Sequence, residues 1–343
     1  MSLMLQEIQE QPAALERTLQ AEHTTLQRLQ QFIRRRSFRP IVLIARGTSD
    51  NAALFGRYVI EITTKHLVSL AAPSIHTLYR ARLDLRRALA VGISQSGEAT
   101  DVNLVLEAYR KQGAFTLGIT NQVRSTMAQL VDEVLLTHTG RERSVAATKT
   151  YTAQLLLLYE LARALGAGFR RREVERLPDL AAQALRLEGV VRETVVRYRS
   201  MQKCMVLGRG LNYANAFELA LKLMETCYVV AERFSAADLL HGPVALIEPG
   251  FPVFVFFPHG ATRRGLEKVV GQLKRLGARL LLFTSRGRLP RGNASLAIQD
   301  GIAELWTPIP YIIPAQLFAA LLAEAKGLNP DQPRYLTKIT RTI

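Results

Sequence analysis

Two hydroxyls and a carboxamide, Ser94, Gln95 and Ser96, cluster ahead of Gly97 where an apolar run ends. A bound phosphate needs hydrogen-bond donors and free backbone N–H groups, and a strand end running into a helix near Val102 supplies both. Taken alone this tetrapeptide is a polar turn. Its position at the carboxyl edge of a parallel sheet, where such folds bind ligands, makes it a candidate anion site. Lys222 and Glu225 stand one helical turn apart in ALKLMET, so an ammonium and a carboxylate share a face. That pair is either an ordinary surface ion pair or an acid–base couple. Arginine far outnumbers lysine in the chain, which gives weight to Lys149, Lys222 and Lys338. An amine that must lose its proton and attack a carbonyl cannot be replaced by guanidinium.

These residues need elements to position them. Leu15, Leu19, Leu26, Leu29 and Ile33 predict an amphipathic helix over Gln11–Ile33, ended by Pro40. Strands follow at Ile41–Ala45, near Val68–Leu70, at Ala88–Ile93, Phe115–Ile119 and Val134–Thr137, with helices at about Asn51–Thr63 and Val102–Gln112. The order then restarts. Cys204–Leu207, Val253–Phe257 and Arg279–Thr284 are strands, and Ala214–Thr226 and Leu266–Leu276 are helices. Arg46-Gly47 registers with Arg209-Gly210, and Gly97 with Gly260, both 163 residues apart. An α/β architecture of two tandem, doubly wound parallel-sheet domains, related by internal duplication, is expected. Tyr151–Ala164 and Leu177–Arg199 read as helices bridging the halves. The expected boundaries are a helical segment over 1–37, a phosphate-binding domain over 38–165, a helical linker over 166–199 and a second domain over 200–343 ending in a catalytic tail. The copies differ where it counts: Phe257-Pro258-His259-Gly260 has lost the donor cluster, so only the first domain is equipped for a phosphate.

A chain of 343 residues, 48% hydrophobic and 22% charged, is that of a folded protein with room for two cores. Its longest apolar runs, around Ile41–Ala45 and Val253–Phe257, are strand-length and below the roughly 20 residues of a membrane span. MSLMLQEIQE lacks the basic and apolar regions of a signal peptide, and Cys204 and Cys227 make neither a disulfide framework nor a metal site. A reducing, cytoplasmic setting without membrane contact is expected. The net charge of +16 raises a nucleic-acid reading. The dense basic runs, Arg34–Arg36 and Arg170–Arg172, carry no interleaved aromatics, so solvated helix ends are expected there and no nucleic-acid partner. The excess charge would draw anionic substrates instead. No clustered His/Cys/Asp ligands and no dinucleotide fingerprint occur, so no cofactor is expected.

ARGTSDNAA (45–53), SQSGEATD (94–101), SVAATKTYTAQL (144–155), LGRGLNYANAFELALKLMETCYVVAERFSAADLLHGPVALIEPG (207–250) and DQPRYLTKITRT (331–342) resemble the SIS, or sugar isomerase, family. They are similar in particular to the isomerase half of glutamine–fructose-6-phosphate aminotransferase and to its relatives without a glutaminase, the glucosamine-6-phosphate deaminases and fructosamine-phosphate deglycases. The resemblance covers nearly the whole chain. It implies that Ser94, Gln95 and Ser96, with Gly47, Thr48, Ser49, Glu98, Thr100, Val145 and Ala146, bind the substrate phosphate and sugar. It implies that Glu225, beside Lys222, moves a proton between carbons 1 and 2. His241 in LLHGP resembles the histidine that opens the sugar ring from the neighbouring subunit, which implies a homodimer. Lys338 in YLTK resembles the lysine that forms a Schiff base with the open-chain carbonyl. Lys149 is expected as a binding or supporting residue.

Two departures remove hydroxyls from that ligand set: Ala99 stands where the synthase has Thr, and Ala147 where it has Ser. VAATKTY and LTKIT stand closer to the deaminase-like relatives. Neither cysteine is placed as a glutaminase nucleophile, so amination from glutamine within these residues is not expected. The expected reaction takes glucosamine 6-phosphate to fructose 6-phosphate and ammonia. The alternatives are a fructosamine-6-phosphate deglycase and a non-catalytic sugar-phosphate sensor. Against the sensor, a regulator has no need to keep Glu225, His241 and Lys338 together, and no partner module is attached.

Overall fold

The apolar runs form two five-stranded sheets in a computed structural model that describes residues 1–285, 294–298 and 301–338. The end of the DQPRYLTKITRT motif, residues 339–342, lies outside the described residues. In the first sheet β1 (Ile41–Ala45), β2 (Val68–Leu70), β3 (Leu89–Ser94), β4 (Phe115–Thr120) and β5 (Glu133–Leu136) lie in the order 2-1-3-4-5, with every pairing parallel. The second comprises β6 (Lys203–Gly208), β7 (Val230–Ser235), β8 (Pro252–Phe256), β9 (Arg279–Ser285) and β10 (Ala294–Ile298), in the order 10-9-8-6-7. Read from its other edge this is the same winding, again all parallel. Each sheet is a doubly wound α/β layer, and the expected fold class holds. In both, the order reverses between the first and third strands of the copy, which opens a ligand crevice at their carboxyl ends.

Side-chain alternation places the cores. Along β8, Val253 and Val255, with Phe257 just past it, meet Leu266, Val270 and Leu273 of the helix Arg263–Arg275. Phe254 faces the other way, with its ring centroid 5.0 Å from that of Phe318 in the helix Pro308–Ala325. The first sheet repeats the scheme with Val42, Ile44 and Ala90 against Val102, Val105 and Leu106.

Contacts divide the chain into two units that do not follow its linear order. The first unit contains residues Glu10–Glu142, Lys149–Pro178 and the tail from Leu336; the second contains Met1–Gln9, Arg143–Thr148 and Asp179–Tyr335. Within the second unit, the Asp331 carboxylate accepts from the N–H groups of Leu3 and Met4, each at 2.8 Å, and so caps the helix Leu3–Gln9. From that helix the buried Glu7 accepts from the backbone N–H groups of Arg143 and Ser144, which holds the segment carrying Val145 and Ala146.

Some elements differ from expectation for physical reasons. The single helix expected over Gln11–Ile33 is two, Gln11–Ala21 and His23–Arg34, broken at Glu22. Glu22 is buried, and its carboxylate meets His138 Nε2 at 2.7 Å. Strands β7 and β10 escaped the sequence reading because they form the two edges of their sheet and are only partly buried. The longest apolar element is the helix Pro308–Ala325, interrupted in sequence by Pro310, Pro314 and Gln316. It is long and apolar enough to cross a bilayer, yet 89% of it is buried inside the protein, as expected of a helix that packs on every side.

Both cysteines are buried, and burial raises both thiol pKa values, that of Cys227 to about 11 and that of Cys204 further still. A thiol held neutral in the fold but ionising near pH 8.5 when unfolded costs stability as pH rises past the lower value. A disulfide-exchange reagent at neutral pH should therefore label no thiol in the native chain and both in denaturant.

Candidate active site

The loop after β3 is shaped by its own side chains. Gly97 N–H donates to Ser94 Oγ at 3.1 Å, and Glu98 N–H donates to Ser96 Oγ at 3.2 Å. Gly97 sits at φ +67°, and a Cβ there would lie 2.1 Å from Ser125 Oγ. From below, Asn103 Nδ2 donates to Gly97 O at 3.0 Å. Glu98 turns away to accept from Thr126 N–H and Oγ1, at 2.9 and 2.7 Å, so it clamps the loop to the neighbouring turn. The helix Thr100–Lys111 then starts from Ala99 in extended backbone with no side chain capping it. In its first turn Val102 N–H donates to Asp101 Oδ1 at 2.9 Å, and the positive end of the helix dipole lies at this loop. Ala99, the departure that removes a hydroxyl from the expected ligand set, is the N-cap of this helix.

Gln95, Ser96, Glu98, Gln122, Arg124, Ser125, Arg141, Glu142 and Lys338 line a crevice of about 370 Å³ within the first unit. Its three cations outnumber its two carboxylates, and Glu98 is already engaged, so the crevice favours an anion. Lys338 Nζ lies 3.2 Å from Glu142 Oε2; the glutamate side chain is 0% exposed and the lysine side chain 25%. Glu142 also accepts from Thr150 N–H and Oγ1, at 3.2 and 2.6 Å, at the start of the helix Lys149–Ala164. Asn121 orders the approach to Glu142, accepting from Thr137 and Thr139 and donating to Gly140 O. Lys149 braces the same stretch, donating to Arg141 O at 2.9 Å and to Glu10 at 2.7 Å.

Gly47, Thr48, Ser49, Thr100, Val145 and Ala146 are not among the residues that line this crevice. Gly47 starts the helix Thr48–Thr64 at φ +55°, and the buried Ser49 Oγ accepts from Gln154 Nε2 at 2.9 Å. Arg46 pairs with the buried Asp101, tying the loop after β1 to the helix after β3 across the switch point. Thr100 lines a separate hollow with Asn103 and Glu107. Val145 and Ala146 belong to the second unit, and Ala146 is fully buried.

The second unit carries the other candidates. The helix Tyr213–Cys227 sets Glu218, Lys222 and Glu225 along one face. Lys222 Nζ is 2.6 Å from Glu225 Oε2 and 3.5 Å from Glu218 Oε1, with the lysine side chain 1% exposed, Glu218 0% and Glu225 20%. The surface-pair reading is thereby excluded: the ammonium is buried between two carboxylates, and one of them opens to solvent. The helix ends at Tyr228 in the left-handed region, and Tyr228 OH accepts from Arg334 N–H at 3.0 Å. His241 is exposed in a short 3₁₀ turn, beside the exposed Leu240 and Leu246.

Sequence reasoning passed over Glu142 and Glu218. Glu142 stands two residues before the SVAATK motif, the one signal that could have singled it out. Glu218 has the helical spacing of a surface acid, and only its burial sets it apart.

A gain of one methyl tests the loop after β3. Alanine at Gly97 would combine a left-handed backbone with a collision against Ser125, each resisted by the surrounding packing. If this loop holds the phosphate that the resemblance implies, Gly97→Ala should weaken phosphate binding at least tenfold, read as a rise in Kd, with the far-UV spectrum unchanged.

Residues 36–164 and 198–323 each match the family model described as the SIS domain. Over 342 residues the chain is 36% identical to glutamine–fructose-6-phosphate aminotransferase (isomerizing) of Pyrococcus horikoshii, covering 98% of this chain and 57% of that protein. The chain thus spans little more than half the length of such relatives. The C-terminal domain of glucosamine-fructose-6-phosphate aminotransferase from Francisella tularensis superimposes with a TM-score of 0.89 at 28% identity, covering 96% of this chain and 98% of that one. Glucosamine-6-phosphate deaminase from Thermotoga maritima superimposes at 0.80 with 23% identity, covering 99% and 100%, a likeness of fold.

Proposed function

Because this chain belongs to the SIS domain family and carries two copies of the domain, we propose that it is an amino-sugar-phosphate isomerase that deaminates glucosamine 6-phosphate to fructose 6-phosphate. The observation that carries this reading is Lys338. Its amine shares a crevice with the phosphate loop, and the buried Glu142 stands 3.2 Å away, placed to take the proton the amine must lose.

In the reaction, Ser96, Gln95 and the backbone before Thr100 hold the phosphate. His241 opens the ring, which frees an aldehyde at carbon 1 beside the amine on carbon 2. Glu225 removes the proton from carbon 2 and returns it to carbon 1, leaving a ketimine at carbon 2. Lys222, a fixed ammonium beside Glu225, stabilises the negative charge that develops between the two steps. The Lys338 amine adds to the ketimine carbon and ammonia leaves; water then releases the ketose and restores the lysine. Water is consumed and ammonia produced, in equal amounts.

The exposure of His241 among exposed apolar neighbours supports its service to a neighbouring subunit, and hence a homodimer. Mixed dimers of His241→Ala and Glu225→Gln chains should regain part of the activity that each lacks alone. The direct test is ammonia release coupled to ketose formation from glucosamine 6-phosphate, run beside a fructoselysine-type 6-phosphate. Turnover of the first substrate is expected. Turnover of the second alone would make the enzyme a deglycase. Binding of both with no turnover of either would make it a sensor.

A further inference from the structure

The second unit has a phosphate corner too, and the chain fills it with its own carboxylate. The loop after β8 runs Phe257-Pro258-His259-Gly260-Ala261-Thr262 into the helix Arg263–Arg275. It matches Ser94-Gln95-Ser96-Gly97-Glu98-Ala99 and the helix Thr100–Lys111 position by position, 163 residues on. Glu304, from the turn before the helix Pro308–Ala325, reaches into this corner. Its Oε2 accepts from Thr262 N–H at 3.2 Å and its Oε1 from Thr262 Oγ1 at 2.5 Å. A Cβ on Gly260 would lie 2.2 Å from Glu304 Oε2, and one on Gly210, in the loop after β6, 3.7 Å from Oε1. The carboxylate therefore sits between the loops that follow β6 and β8, the switch point where a doubly wound sheet receives its ligand.

The surroundings have the charge of an anion site. Arg46 of the first unit is neutralised by Asp101; their counterparts here are Arg209 and Arg264, both cationic. Arg209 packs against the first turn of the helix at Gly265, and Arg263 lies over the Phe257 ring at 4.0 Å. Among the described residues His259 Nε2, in the same loop, is buried without a hydrogen-bond partner. Arg263 pairs with Glu267 at 2.8 Å, so the Thr262 donors and the start of the helix are what meet the negative group, and that group is a side chain.

The geometry points to a second anion-binding crevice of phosphate class that Glu304 occupies as a built-in ligand, so that the chain takes up one sugar phosphate and not two. Glu304 works as an internal substitute for the phosphate that the first unit leaves to its substrate. Removing it uncovers the site.

Thermal melts of the full chain in increasing inorganic phosphate, with chloride at matched ionic strength as control, test this. Glu304→Ala should melt several degrees below the unaltered chain without phosphate. Millimolar phosphate should recover much of that loss, well beyond any rise in the unaltered chain. Equilibrium dialysis should find one more phosphate per chain in the variant. Adding Thr262→Val should abolish the recovery and the extra site. An equal phosphate response in variant and unaltered chain would overturn the proposal. If Glu304→Ala folds only in phosphate, that supports it. If the variant folds in neither salt, Glu304→Gln decides, because it keeps the shape and removes the charge. A lowered melting temperature for Glu304→Gln supports an anion site, and an unchanged one overturns it.

Discussion

Replacing Glu225 by glutamine is expected to lower kcat for glucosamine 6-phosphate by about 10²–10⁴, the usual worth of a positioned general base. The amide has the size of the carboxylate, and its oxygen can still accept from Lys222 Nζ, 2.6 Å away in the native chain. Fold and phosphate grip should survive, so KM should stay within a few-fold. The loss falls on one step, transfer of a proton between adjacent carbons. Deuterium uptake at carbon 2 of the substrate in D₂O should therefore stop along with turnover. Exchange that persists while ammonia release fails would move the base elsewhere and leave Glu225 a later role.

The second large effect is on stability. Lys222 places a buried ammonium between Glu218 and Glu225, and Glu218 is wholly inside the protein. Methionine fills a similar volume and removes the charge that compensates these carboxylates. Breaking a buried pair from one side costs about 3–5 kcal/mol, because the remaining ion has already lost its water. In a cooperative unit of the size that carries Lys222 the melting temperature should fall by roughly 6–20 °C. Adding Glu218→Gln to Lys222→Met should restore much of the loss, since it removes the ion that the single change leaves uncompensated. If the double variant is no more stable than the single one, packing and not charge sets the cost. Turnover should be lost in both, because neither retains the ammonium beside Glu225.

What could be read from the chain follows from which forces are local. Strand β1 is buried on both faces, so its five apolar residues announce it, and the repeat in register after 163 residues announces the second sheet. Edge strands β7 and β10 lack that pattern because solvent meets them. The helix Pro308–Ala325 was hidden by its prolines: Pro308 suits a first turn, but Pro314 lies inside the helix, where sequence reading places a break. In the site, Ser94–Gly97 could be read because the loop makes its own hydrogen bonds, and Lys222 with Glu225 because helical spacing pairs them. Glu142 and Lys338 are 196 residues apart, and nothing short of the fold brings an acid to that amine. Burial, which separates Glu218 from ordinary surface acids, and the reach of Glu304 to Thr262 are likewise properties of the assembled structure.

The cap that Asp331 places on the helix Leu3–Gln9 has a consequence for the order in which the chain can mature. That helix precedes both sheets in the chain, and its capping carboxylate follows both. As the chain emerges, the N–H groups of Leu3 and Met4 are left to water while more than three hundred residues are made before Asp331. Glu7, on the same helix, holds the backbone at Arg143 and Ser144, so the segment with Val145 and Ala146 waits as well. Lys338 comes seven residues after Asp331. The event that seats the first helix and the arrival of Lys338 therefore fall together, after both sheets have been made. Sheets with local cores can form early, but contacts of such long sequence separation close late. Partly made chains would hold folded sheets with Lys338 still to come.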